Sequence, residues 1–64
     1  MTIGEKIKQF RELKGISQNK LAILLNISRQ AVNLWEKNKA QPRLDKIKLL
    51  TETLNCNLID LLAS

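Results

Sequence analysis

Apolar residues recur at helical spacing in five short stretches of this chain, separated by polar and turn-forming residues. Ile3, Ile7, Phe10 and Leu13 return every three or four positions and predict a first helix from about Ile3 to Lys14. Leu21, Ala22 and Leu25 mark a second over roughly Gln18 to Leu25, and Ala31, Val32 and Trp35 a third over roughly Arg29 to Lys37. The stripe Leu44, Ile47, Leu50 and Leu54 predicts a fourth helix from about Leu44 to Leu54, with a short fifth over Leu58 to Leu62. The fold class is therefore all-α, a compact five-helix domain.

Start and stop residues agree with these boundaries. Thr2 and Glu5 form a capping box, in which hydroxyl and carboxylate each satisfy a free backbone N–H of the first turn. Ser17 and Ser28 stand where the second and third helices need N-caps, and Asn57 with Asp60 repeats the pattern before the last helix. Gly15 supplies the left-handed residue that ends the first helix, and Pro42 closes the loop before the fourth. Asn26, Asn38 and Asn55 each follow a predicted helix end. Asparagine is the residue after glycine that most readily takes positive φ, so all three are read as helix terminators. The alternative is three unrelated polar loop residues.

Residues 17–37, SQNKLAILLNISRQAVNLWEK, place two short amphipathic helices around a three-residue turn. On a wheel at about 100° per residue, Ala31, Val32 and Trp35 fall within one arc and face the core. Arg29, Gln30, Asn33, Leu34 and Lys37 occupy the opposite side, with Glu36 at its edge and no carboxylate inside it. Arginine bonds guanine bidentately, glutamine and asparagine bond adenine, and leucine can touch a thymine methyl. A compact helix pair with such an outer face is the geometry that seats one helix in the DNA major groove. The plainer alternative is an outward face that is merely solvated.

Charge strengthens the first reading. Eleven Lys and Arg against six Asp and Glu give a net charge of +5 on 64 residues, a balance that favours a polyanionic partner. One domain, residues 1–64, accounts for the length, and a chain this short buries only about 60% of its unfolded surface. A membrane partner lacks support, because the chain has neither a long apolar run nor an apolar face with aromatic anchors. MTIGEKIKQF is too polar for a signal peptide, and one cysteine, Cys56, suits a reducing compartment; the expected location is the cytoplasm. Catalysis has little to use. Histidine and tyrosine are absent, the acids are scattered among lysines, and no phosphate loop or metal-ligand spacing exists; no catalytic residue, metal or cofactor is expected.

The stretch SQNKLAILLNISRQAVNLWEKNKAQP resembles the Cro and phage-repressor-like helix-turn-helix family, of lambda-repressor and xenobiotic-response-element type. Its most specific elements are Gly15-Ile16-Ser17-Gln18, Leu21-Ala22, Ser28-Arg29-Gln30-Ala31-Val32, Trp35-Glu36 and Pro42, and the match runs from Ile7 to Leu62. The resemblance implies a small transcriptional regulator, a repressor before an activator, that binds palindromic double-stranded DNA as a homodimer. It implies base reading by Arg29, Gln30 and Asn33, to which the wheel adds Leu34, and backbone contact by Gln18, Ser28, Lys37, Lys39 and Arg43, the residue at the Gln18 position often bracing a base-reading side chain as well. It also implies a partly buried ion pair between Arg11 and Glu36.

Departures from the family pattern suggest a second reading. Ile23, Leu24, Leu34, Leu49 and Ile59 are apolar where relatives are commonly polar. Scattered exposed apolar residues are ordinary on any surface, but several in one small domain suggest a protein partner. The alternative function is therefore an antitoxin-like or accessory interaction module of the same fold. Self-association, weak without DNA, is expected through Pro42, Leu58 and Ile59.

Overall fold

A computed structural model describes residues 2–62. It contains α1 (Ile3–Leu13), α2 (Gln18–Leu25), α3 (Arg29–Glu36), α4 (Leu44–Thr53) and α5 (Leu58–Leu62). α1, α2 and α3 begin where a side-chain cap is made. Thr2 Oγ1 accepts from Glu5 N at 3.2 Å while Glu5 Oε1 accepts from Thr2 N at 3.2 Å. The hydrogen bonds that the Thr2 main-chain N–H and, at 3.0 Å, the Thr2 hydroxyl donate to Glu5 Oε1 hold the exposed Glu5 carboxyl below the usual glutamate range. Ser17 Oγ accepts from Lys20 N at 3.0 Å, Ser28 Oγ from Ala31 N at 3.1 Å, and Asp60 Oδ2 from Asn57 N at 3.1 Å. Only α4 starts without a side-chain cap among those with a described N-cap, at Arg43, with Asp45 in its first turn as the favourable charge.

The terminators take left-handed backbone. Asn26, Asn38 and Asn55 have φ of 58°, 59° and 54°, and Gly15 has φ of 71°. Lys14, Lys37 and Leu54 act as C-caps, so α1, α3 and α4 each end one residue earlier than the apolar pattern predicts. The last helical turn frays into the cap at such points.

α2 and α3 pack on each other, α1 lies across α3 and α5, and α4 closes the core against α2 and α5. Ile7, Leu21, Leu25, Val32, Leu50 and Leu61 are fully buried, with Ala22, Trp35 and Leu54 beside them. Ala22 keeps the α2–α3 contact close because it has only a methyl to accommodate. Two residues assigned to the core stripes are instead on the surface: Leu13 is 75% and Leu44 70% exposed. Each stands six residues from a fully buried side chain, Ile7 or Leu50, and six helical steps leave it about 120° off the inward direction. Arg11, four steps from Ile7 and about 40° off the inward direction, is the last buried residue of α1. Among the described residues, no helix is long and apolar enough to cross a membrane.

Gly4, which the apolar pattern does not single out, is buried where α1 meets the end of α3. Its N–H donates to Asn38 Oδ1 at 3.3 Å, so Asn38 both ends α3 and caps α1. A methyl on Gly4 would stand 2.6 Å from Asn38 Oδ1 and closer still to the Trp35 carbonyl oxygen, which is backbone and cannot swing aside. Gly4→Ala is therefore expected to lose about 1–3 kcal/mol, outweighing the gain of about 1 kcal/mol in helix propensity. Urea melts check this; a neutral or stabilised variant would show that the helices separate without penalty.

Candidate nucleic-acid interface

The helix pair is built by its caps and its turn. Asn26 ends α2 in left-handed backbone, Ile27 N donates to Ala22 O at 2.9 Å, and Ser28 opens α3 two residues later. This places the N-terminus of α2 beside the outer face of α3. Between them lies a cleft of about 290 Å³ lined by Gln18, Arg29, Gln30 and Asn33. Arg29 and Gln30 are exposed in the first turn of α3, Asn33 is half-buried one turn on, and Leu34 is half-buried at the margin. Ser28, Lys37, Lys39 and Arg43 are exposed.

A chain of hydrogen bonds runs under this cleft. Arg11 Nε donates to Glu36 Oε2 at 2.7 Å and Arg11 Nη2 to Glu36 Oε1 at 3.1 Å, a bidentate pair across α1 and α3. Arg11 Nη1 donates to Ile16 O at 2.8 Å, which ties the α1–α2 loop to the same pair. Bonding to Glu36 pushes the Arg11 pKa further above its already high value. Gln18 Nε2 then donates to Glu36 Oε1 at 3.0 Å and to Asn33 Oδ1 at 3.4 Å. The Arg11 and Glu36 side chains are only 10% and 3% exposed. Glu36, at the edge of the outward arc on the wheel, is turned inward into the ion pair with Arg11 that the resemblance implies, and Gln18 offers it a further donor there. Its charge is spent inside the protein, and the other five acids lie on α1, α4 and α5. Among the described residues, no buried side-chain polar atom lacks a partner.

Lys46 adds a contact the sequence did not indicate: its Nζ donates to Leu25 O at 3.1 Å, neutralising the C-terminal end of the α2 dipole. That lysine is a structural tie rather than a free cation. Pro42, expected at a self-association surface, is buried within the single chain, in the loop before α4; Leu58 and Ile59 remain exposed. Ile23 and Leu24 are 65% and 48% exposed on the outer side of α2, and Leu49 is partly exposed on α4. Cys56 is half-buried against the core, and burial, with Asp60 adding to it, pushes its thiol pKa up and keeps it a poor nucleophile. A larger groove of about 550 Å³ runs along the outside of α1 past Glu5, Lys8, Gln9, Glu12 and Leu13. It lies on one helix and carries two carboxylates, so it does not suit a polyanion.

Two capped helices crossing at a short turn, with a polar, acid-free outer face on the second, define a helix-turn-helix domain. The helix-turn-helix family model matches residues 7–61, and this chain belongs to that family, in its Cro and phage-repressor type. The family consists of DNA-binding transcriptional regulators. Among curated proteins, the chain is similar to the HTH-type transcriptional activator BcrR of Enterococcus faecalis, at 32% identity over 63 residues covering 98% of this chain and 31% of that protein. It is also similar to YonR, an uncharacterized SPbeta prophage-derived HTH-type transcriptional regulator of Bacillus subtilis (strain 168), at 39% identity over 51 residues, 80% of this chain and 47% of that one. The chain thus spans less than half the length of either relative. Among solved structures, the P22 c2 repressor in complex with a synthetic operator superposes with a TM-score of 0.93 at 27% identity, covering 98% of this chain and 96% of that one. The restriction-modification controller protein C.AhdI of Aeromonas hydrophila superposes with a TM-score of 0.85 at 29% identity, covering 92% and 86%.

Proposed function

We propose that this chain is the sequence-specific DNA-binding unit of a transcriptional regulator of repressor type, with α3 seated in the major groove. The observation that carries this reading is the cleft between α2 and α3, whose lining side chains are polar or cationic while the neighbouring carboxylate is buried against Arg11. The likeness to a repressor bound to a synthetic operator supports it. Lys37, Lys39 and Arg43 neutralise phosphates, the Gln18 main-chain N–H and Ser28 hold the DNA backbone at the N-termini of α2 and α3, and Arg29, Gln30, Asn33 and Leu34 read about four base pairs. Two protomers bind a palindromic operator in the cytoplasm, with recognition helices about 34 Å apart, and repression follows from occlusion of a promoter. Selection from a random double-stranded DNA pool tests this. A palindromic motif is expected, and no enrichment at all would sink the reading. Exposed Ile23 and Leu24 favour a second reading, a protein-interaction module of the same fold, which a pool without enrichment would promote.

The first turn of a recognition helix reaches deepest into the groove. Arg29→Ala is expected to cost about 1–3 kcal/mol of binding and to relax preference at one position of each half-site. Gln30→Ala should relax a neighbouring position. If Arg29 instead held a phosphate, affinity would fall evenly over all sequences and the salt slope would drop by about one unit. Binding of each variant to every single-base operator change, at two salt concentrations, separates the two roles.

Self-association through Leu58 and Ile59 predicts a weak dimer that DNA reinforces. Sedimentation should find two protomers per full operator at saturation; one protomer there contradicts the model.

A further inference from the structure

We infer that Glu36 acts through Gln18 to fix which side of the Asn33 amide faces the groove, so that Asn33 reads as a hydrogen-bond donor and selects against cytosine; this rests on the DNA-binding reading above. A carboxylate can only accept. Glu36 Oε1 takes hydrogen bonds from Arg11 Nη2 and from Gln18 Nε2, so the Gln18 amide has one permitted orientation. Turned over, its carbonyl oxygen would meet a buried negative charge. The Gln18 NH₂ has two hydrogens. One goes to Glu36 and the other to Asn33 Oδ1.

This settles Asn33 in turn. Its oxygen lies toward Gln18, because the reverse would set one NH₂ against another. The Asn33 Nδ2 group is left as the uncommitted end, and the residue lines the cleft with Arg29 and Gln30. An isolated asparagine turns over at little cost and can offer a donor or an acceptor. Here the order Arg11, Glu36, Gln18, Asn33 transmits one polarity from the buried ion pair to the reading face. A donor suits the major-groove edges of guanine, which has N7 and O6, of adenine at N7, and of thymine at O4. Cytosine offers only the N4 donor there and is disfavoured, because the Asn33 oxygen is turned toward Gln18. Glu36 is therefore a positioning residue for base choice as well as a member of the ion pair.

The test uses the operator obtained by pool selection and all its single-base variants, with wild type, Asn33→Ala, Gln18→Met and Glu36→Gln. The position read by Asn33 is the one whose preference Asn33→Ala removes, and wild type should disfavour cytosine there by about tenfold. Gln18→Met keeps length but has no amide, and Glu36→Gln can donate as well as accept. Both should bring that discrimination to within about twofold while leaving the preferences set by Arg29 and Gln30 intact. A purely structural role for Glu36 would lower the fraction of active protein and leave the ratio among bases unchanged. Where Glu36→Gln does not fold, Gln18→Met decides alone. Full discrimination retained in Gln18→Met, or no preference lost in Asn33→Ala, overturns this inference and leaves the DNA-binding reading standing. A wild-type protein without any sequence preference overturns both.

Discussion

Glu36→Ala is expected to leave the domain close to unfolding, with a loss of about 3–5 kcal/mol in urea melts. The substitution removes the acceptor of Arg11 Nε and Nη2 and of Gln18 Nε2 together. Arg11, whose side chain is only 10% exposed, then keeps a single bond to the Ile16 carbonyl and carries a nearly buried charge without a counter-ion. Most of the cost comes from that stranded charge rather than from the lost attraction. Replacing both partners, as in Arg11→Met with Glu36→Leu, should therefore recover much of the loss. A 64-residue domain begins near the low end of the usual 5–15 kcal/mol, so the single variant has little margin. A loss below about 0.5 kcal/mol would mean that the pair behaves as an exposed one.

The second large effect is on binding. Raising salt from about 50 to about 200 mM is expected to weaken operator affinity by about 10³-fold, since a dimer using Lys37, Lys39 and Arg43 from each protomer displaces about six counterions. Alanine at any of the three should reduce the slope of log affinity against log salt by about one unit for each phosphate contact removed, without changing base preference. Lys46→Ala should leave the slope nearly unchanged, because its ammonium is held by the Leu25 carbonyl. A flat salt response would exclude phosphate neutralisation as the main source of affinity.

Much of this molecule follows from rules that act within a few residues. Thr2 with Glu5, Ser17 and Ser28 start helices because a side-chain oxygen three positions before an amide can satisfy it wherever the helix lies. Asn26, Asn38 and Asn55 end helices because their own backbone tolerates positive φ. The helix pair, its outer residues and the charge excess were legible for the same reason: period and charge are written along the chain.

What only the tertiary structure decided depends on which neighbour each face meets. Leu13 and Leu44 fit a helical stripe, yet the core ends before reaching their angle, and both stay in solvent. Gly4 shows its role only once Trp35 and Asn38 are brought against it from the far end of α3. Pro42 is buried in the loop before α4, and Lys46 is claimed by a carbonyl on another helix. The Arg11–Glu36 pair was implied by the family resemblance, but the Gln18 amide that joins Glu36 to Asn33 takes its place only when α1, α2 and α3 meet. The spacing of apolar residues specifies five helices and the inward side of each. The partners of buried polar atoms, and with them the orientation of the Asn33 amide, exist only after three helices have met.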